Sequence, residues 1–206
     1  MTRYGMAVDL SRCVGCNACA MACKVSNNLP KNMWWNVVHT DGWEAFDTAR
    51  GEYGKDNHMQ WYPVNCMHCD NPACETVCPT GATRKREDGI VDIDFDQCIG
   101  CKSCMMACPY DVRRFLDKSP EYYTEHLIGD ETAPALIGST VSKCNFCAGR
   151  LDRGDVPACM ELCPGRARYF GDLDDPQSEI SRALQGRDVH VLHEEAGTKP
   201  NFYYFE

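Results

Sequence analysis

The chain has 206 residues, 44% hydrophobic and 25% charged, enough for one large domain or two small ones. Its 30 acidic and 21 basic residues leave a formal charge of −9, which disfavours nucleic acid as a partner. No run approaches the roughly 18 apolar residues that span a bilayer, and residues 1–10 carry neither the apolar core nor the small-residue cleavage site of a leader, so the expectation is a chain with no span or leader of its own.

Residues 3–9 alternate Tyr4, Met6 and Val8 with small or polar residues and predict a half-buried strand. The first cysteine set follows: Cys13, Cys16, Cys19, Cys23. Residues 24–65 form an insertion that holds every tryptophan, Trp34, Trp35, Trp43 and Trp61, and the second set is Cys66, Cys69, Cys74, Cys78. Two extended runs around Asp88-Gly89 predict a hairpin over 82–94. The third set, Cys98, Cys101, Cys104, Cys108, comes next, and then an insertion over 109–143 that reads as mostly irregular. The fourth set is Cys144, Cys147, Cys159, Cys163. Asp175 as N-cap, Pro176 at the first position and Gly186 as stop predict a helix between them, and residues 199–205 read as an extended tail that packs or pairs.

All 16 cysteines fall into these sets and none is left over. Disulfide frameworks join distant segments and rarely need two thiols every third residue of one loop. Zinc sites use two separated pairs of ligands, not runs of four. The first and third sets read C-x2-C-x2-C-x3-C, the second C-x2-C-x4-C-x3-C and the fourth C-x2-C-x11-C-x3-C; the last three sets continue into Pro79, Pro109 and Pro164. A run of this kind ending in proline is the bacterial ferredoxin pattern, whose fourth cysteine ligates the other cluster. A tight loop reaches three corners of a cubane. Gly15 and Gly100 let backbone N–H groups approach the sulfurs, and a helix carries the fourth cysteine away. Four [4Fe–4S] clusters at about −2 each would bring the total charge to about −17, to be met by backbone N–H groups.

The second and third sets are close in sequence, joined by the hairpin, and read as one two-cluster unit; by elimination the first and fourth form another, into which it is inserted. With fourth cysteines exchanged, Cys13, Cys16, Cys19 and Cys163 hold cluster 1, and Cys144, Cys147, Cys159 and Cys23 hold cluster 2. Cys66, Cys69, Cys74 and Cys108 hold cluster 3, and Cys98, Cys101, Cys104 and Cys78 hold cluster 4. Pairing the first set with the second and the third with the fourth is the competing layout. The expected fold is α+β: two interleaved ferredoxin-like two-cluster units with inserted loops. The first unit would take residues 1–60 and 117–206, the second 61–116.

These motifs, Cys13-Val-Gly-Cys-Asn-Ala-Cys-Ala-Met-Ala-Cys23-Lys24, Cys66-Met-His-Cys-Asp-Asn-Pro-Ala-Cys74 with Cys78-Pro79, Cys98-Ile-Gly-Cys101 with Cys108-Pro-Tyr110, and Pro157-Ala-Cys159 with Cys163-Pro164, resemble the iron–sulfur subunits of molybdopterin oxidoreductases of the dimethyl sulfoxide reductase type. Phe170-Gly-Asp, Asp175-Pro and Gly197-Thr-Lys-Pro200 are similar to the subunits of polysulfide, tetrathionate and arsenate reductases. The resemblance covers nearly the whole chain and implies an electron-transfer subunit that is not catalytic alone. It implies a molybdenum or tungsten pterin subunit beside the clusters of the first and fourth sets. A quinone-linked integral membrane anchor, or another donor, would lie beyond the second and third. It also implies an outer-face, membrane-associated complex exported with its partner, with a cytoplasmic one as the other possibility. In nitrate reductase relatives a tryptophan at the position of Cys101 leaves a three-iron cluster; Cys101 therefore implies four cubanes. A subunit of a hydrogenase or formate-linked complex, a free ferredoxin shuttle and a zinc scaffold are the rival readings.

Several residues have an ordinary reading beside the functional one. His68 reads as a loop residue whose backbone matters more than its ring, and His39, His58, His126, His190 and His193 have no ligand spacing. Of Trp34-Trp35, at least one is expected in the core rather than at an interface. Lys24 stands where the other sets have proline, so the first helix should run on. Lys85, Arg86, Arg113 and Arg114 lie near the hairpin and are expected in solvent rather than against cluster charge. Asp92, Asp94 and Asp96 read as the wet face of a strand. No P-loop, dinucleotide fingerprint or Ser/His/Asp signature is present, and no small-molecule substrate site is visible.

Overall fold

The N-terminal strand forms as β1 (Tyr4–Asp9). The structure, a computed structural model, describes residues 2–41 and 49–206, so Trp43 lies outside the described residues. β1 is one of the two interior strands of a four-stranded sheet. β8 (Arg168–Asp172) pairs with it antiparallel, with Met6 opposite Phe170. The tail forms β10 (Phe202–Phe205), parallel to β1 with Met6 opposite Phe202. The short β9 (Val189–His190) closes the edge.

β1 is buried on both faces, not one. Met6 and Val8 join the main core with the cysteine loops, while Ala7 packs with Ile180 and Phe205 on the opposite face. Ile180 belongs to α6 (Glu179–Leu184), which covers that side. The alternation misleads because the second face needs only Gly5 and Ala7 under a helix. A Cβ on Gly5 would lie 2.6 Å from Leu173.

The hairpin forms as β4 (Thr83–Lys85) and β5 (Val91–Ile93), with Gly89 at φ +84° and the Asp88 carboxylate accepting the Ile90 N–H. The first insertion supplies β2 (Val37–Thr40), paired with β3 (Trp61–Val64). The second adds only β6 (Arg114–Phe115) and β7 (Val141–Ser142). Trp35 is 2% exposed and donates to Ser142 Oγ, so the core role expected of one of the adjacent tryptophans falls to it.

The C-terminal helix begins three residues later than expected. Its N-cap is Ser178, whose Oγ accepts the Ser181 N–H; Asp175 instead caps the preceding turn by accepting the Gln177 N–H. Pro176 sits inside that turn, and Gly186 follows the helix with φ +71°.

Helices of four residues carry the third cysteine of the last three sets: α2 (Ala73–Thr76), α3 (Ser103–Met106) and α5 (Ala158–Glu161). Each ends within three residues of its proline, which cannot continue the helix. α4 (Ala148–Leu151) follows Cys147. The first set has no proline, and α1 (Ala18–Ser26) runs for nine residues. Lys24 is buried, its Nζ donating to the carbonyls of Pro30, Lys31 and Met33. α1 packs against α5, and α2 against α3. Among the described residues no helix is long and apolar enough to cross a membrane.

Candidate iron–sulfur centres

In each set the first two cysteines bracket a two-residue loop whose second residue is left-handed. Gly15 and Gly100 have φ of +65° and +67°, and their counterparts His68 and Phe146 have +43° and +53°. Glycine suits the first two because the chain closes over them. A Cβ on Gly15 would lie 2.3 Å from the Trp61 ring, and one on Gly100 2.2 Å from the Ser139 carbonyl oxygen. A side chain in this region costs roughly 1–2 kcal/mol. For His68 and Phe146 burial opposes that cost: both are fully buried and stack on each other, centroids 3.7 Å apart. His68 Nδ1 accepts the Val91 N–H at 3.1 Å, and burial followed by the nearby Lys143 and Arg113 charges holds the ring well below its ordinary pKa. Its ring therefore matters as much as its backbone, contrary to the loop reading.

All sixteen thiols are free. One cavity is lined by Cys13, Cys16, Cys19 and Cys163. A second is lined by Cys66, Cys69, Cys74 and Cys108, and a third by Cys78, Cys98, Cys101 and Cys104. The remaining four group together: burial, then the nearby Cys144, Cys147 and Cys159, pushes the Cys23 thiol far up. Asn27 Nδ2 lies 3.7 Å from Cys23 Sγ and 3.9 Å from Cys147 Sγ. Among the described residues no three His, Cys, Asp or Glu side chains converge closely enough to hold a single metal ion. Sulfurs set around a cavity in fours fit a cubane, whose irons each take one thiolate and whose bulk fills the centre.

Backbone donors aim at several sulfurs at 3.4 Å: Thr83 N at Cys78, Phe146 N at Cys144 and Ala167 N at Cys163. Burial raises other interior thiols, Cys69 to about 12 and Cys159 to about 11. Ligation by iron replaces these protons, since only thiolates bind.

The groups adjoin one another. Cys19 lies close enough to Cys159 to raise its pKa, and Cys66 does the same to Cys144. Asn65, beside Cys66, places its Nδ2 3.8 Å from Cys144 Sγ. The outer loops reach the surface: Val14 is 64% and Ile99 66% exposed, against 1% for Met67.

Backbone donors are not the whole electrostatic answer. Arg113, expected in solvent, is 1% exposed and lines both the Cys66 and the Cys98 cavities. Arg114 and Lys85 are part-buried; Arg114 pairs with Asp111, and Lys85 pairs with Asp70 at 2.6 Å. Arg86 pairs with Asp88, and none of these three is among the residues that line the three cavities. Arg168, which sequence reasoning missed, is 3% exposed, lines the Cys13 cavity and donates to Cys159 Sγ at 3.5 Å. The signal was available: Arg113 and Arg168 stand at the same place after the last cysteines of their sets, Cys108 and Cys163.

Comparison with known proteins agrees with this chemistry. Two family models, each described as a 4Fe-4S dicluster domain, match residues 57–123 with 137–173, and residues 12–82. A Halobacterium salinarum chain named as an iron-sulfur subunit of dimethyl sulfoxide reductase is 45% identical over 209 residues, covering 99% of this chain and 79% of the relative. A tetrathionate reductase subunit of Salmonella typhimurium is 40% identical, covering 98% of this chain and 72% of the relative. The arsenate respiratory reductase iron-sulfur subunit ArrB of a Shewanella species is 36% identical, covering 98% and 95%. With its sixteen thiols and two dicluster matches, the chain carries four [4Fe–4S] clusters and belongs to the family of iron–sulfur electron-transfer subunits of molybdopterin reductases.

Proposed function

We propose that this chain relays single electrons through four clusters in the order 1, 2, 3, 4. Cys13, Cys16, Cys19 and Cys163 hold the first, and Cys23, Cys144, Cys147 and Cys159 the second. Cys66, Cys69, Cys74 and Cys108 hold the third, and Cys78, Cys98, Cys101 and Cys104 the fourth. The observation that carries this is the exchange of the last cysteine: three of these foursomes line a common cavity, each taking one thiol from another set. The packing of α1 on α5 and of α2 on α3 supports two interleaved units. The order rests on the adjoining thiols, Cys19 to Cys159 and Cys144 to Cys66, and on Arg113 beside both of the last two cavities.

One end of the relay would meet a molybdenum or tungsten pterin subunit beside cluster 1, the other a quinone-linked membrane anchor or another redox protein beside cluster 4. Exposed apolar residues at each end, Val14 and Ile99, suit docking to a partner. Outer-face placement in a membrane-associated complex would follow from export with that partner. The test is anaerobic isolation through a tag on this chain. A large subunit containing pterin with molybdenum or tungsten, and iron matching four cubanes, is expected. Nickel in the large subunit, or a stable monomer without partners, would overturn the partner assignment; colourless protein with intact thiols would overturn the relay.

A further inference from the structure

Buried guanidinium groups normally face carboxylates, because an unpaired charge is costly to desolvate. Arg113 and Arg168 are buried, and neither forms an ion pair with a carboxylate among the described residues. Arg113 Nη1 donates to Thr83 Oγ1 at 3.1 Å and its Nη2 has no protein partner. Arg168 Nη1 donates to Asn65 Oδ1 at 3.1 Å and Nη2 to Asn36 Oδ1 at 3.2 Å, leaving Nε without one. The anionic groups within reach are cysteine sulfurs. Arg168 bonds Cys159 of the second foursome while lining the cavity of the first. Arg113 lines the cavities of the third and fourth.

The internal repeat gives an independent reason to treat the two alike. Each arginine follows the last cysteine of its set by the same interval, and the residue at that interval after Cys78 is Thr83, the acceptor of Arg113. The chain thus places a buried arginine at this position in each two-cluster unit and, in the second unit, answers it with a hydroxyl from the partner set.

We propose that Arg113 and Arg168 are potential-setting residues, each holding a fixed positive charge between the two clusters of one unit and favouring the reduced form of both. The proposal rests on the ligand assignment above. Each reduction adds one electron to a cluster; no bond changes and no proton moves at the arginine, which stays charged throughout. A unit charge several ångströms away, at an effective dielectric of about 20, shifts the reduced-to-oxidised ratio by at least about tenfold, which is about 59 mV for one electron.

The experiment is a potentiometric titration of the whole complex followed by electron paramagnetic resonance, with Arg168→Gln, Arg113→Gln and the charge-keeping Arg168→Lys and Arg113→Lys. A Cys101→Ala background marks the second unit through its three-iron signal. At a fixed solution potential, Arg168→Gln should lower the reduced-to-oxidised ratio of the first unit at least tenfold and leave the second within threefold, and Arg113→Gln should do the reverse. The lysine variants should stay within threefold of the parent. Equal shifts in all clusters, or loaded glutamine variants moving by less than threefold, would overturn the proposal. So would lysine variants that load and shift tenfold, which decides the matter where a glutamine variant fails to assemble. A parent complex with fewer than four clusters would instead refute the ligand assignment, so the two failures are separable.

Discussion

Replacing Lys24 with methionine keeps the stem and removes the ammonium on which the first insertion is hung. The Nζ donates at 2.6, 3.0 and 2.9 Å to the carbonyls of Pro30, Lys31 and Met33, and lies 4.3 Å from the Trp34 ring centre. Charge-assisted bonds contribute about 1.5–3 kcal/mol each, and the contact over the indole about 0.5–2 kcal/mol. Against this, burial of an ammonium costs several kcal/mol, and the variant no longer incurs it. The balance is a loss of about 2–4 kcal/mol, confined to the segment that follows α1. Global unfolding is not two-state in a protein with bound clusters, so the measurement is hydrogen exchange resolved by peptide. Protection over 27–36 should fall by roughly 30- to 1,000-fold, since about 1.4 kcal/mol is a factor of ten. Protection over 83–93, in the hairpin, should not change. An unchanged rate over 27–36 would refute the idea that the Lys24 ammonium holds this segment in place.

Cys101→Ala should leave a three-iron cluster, with one iron fewer per chain and a new signal in the oxidised state; an unchanged spectrum would show that Cys101 is no ligand. Trp35→Ala removes a core indole and its bond to Ser142, and should cost about 3–5 kcal/mol, read as a fall in thermal stability and faster loss of iron. Asp130 accepts from Arg153, from Arg150 and from both the N–H and hydroxyl of Thr132, and these bonds, that from Arg153 foremost, hold its carboxyl well below the usual range. Since the folded state binds its proton less readily, the stabilisation is complete above the ordinary carboxylate pKa and is lost as pH falls toward the folded value. Asp130→Asn should therefore lower hydrogen-exchange protection of the 130–133 turn near neutrality by about 1–2 kcal/mol, with the gap to the parent narrowing below about pH 4.

The ligand chemistry was legible in the sequence because a cubane imposes its geometry on short loops: spacing, a turn residue and a terminating proline are local requirements. The hairpin at Asp88-Gly89 and the longer α1, with Lys24 where the other sets have proline, were legible for the same reason. The helix cap was misplaced by three residues, since Asp175 and Ser178 are both good caps and only the packing of Ile180 beneath β1 chooses between them. Periodicity judged β1 half-buried because it reports on one face, while the cover over Gly5 and Ala7 comes from residues near the other end of the chain. The left-handed His68 and Phe146 carry no local glycine signal, because their conformation is held by stacking across two separate sets. Arg113 reads as a solvated charge beside the hairpin, and Arg168 goes unremarked, until the fold closes over them. Sequence by itself determined that four groups of thiolates exist and what they bind, through bonds a few residues long. Tertiary structure decided which groups adjoin and which charges are sealed between them, because burial and long-range electrostatics belong to no single segment.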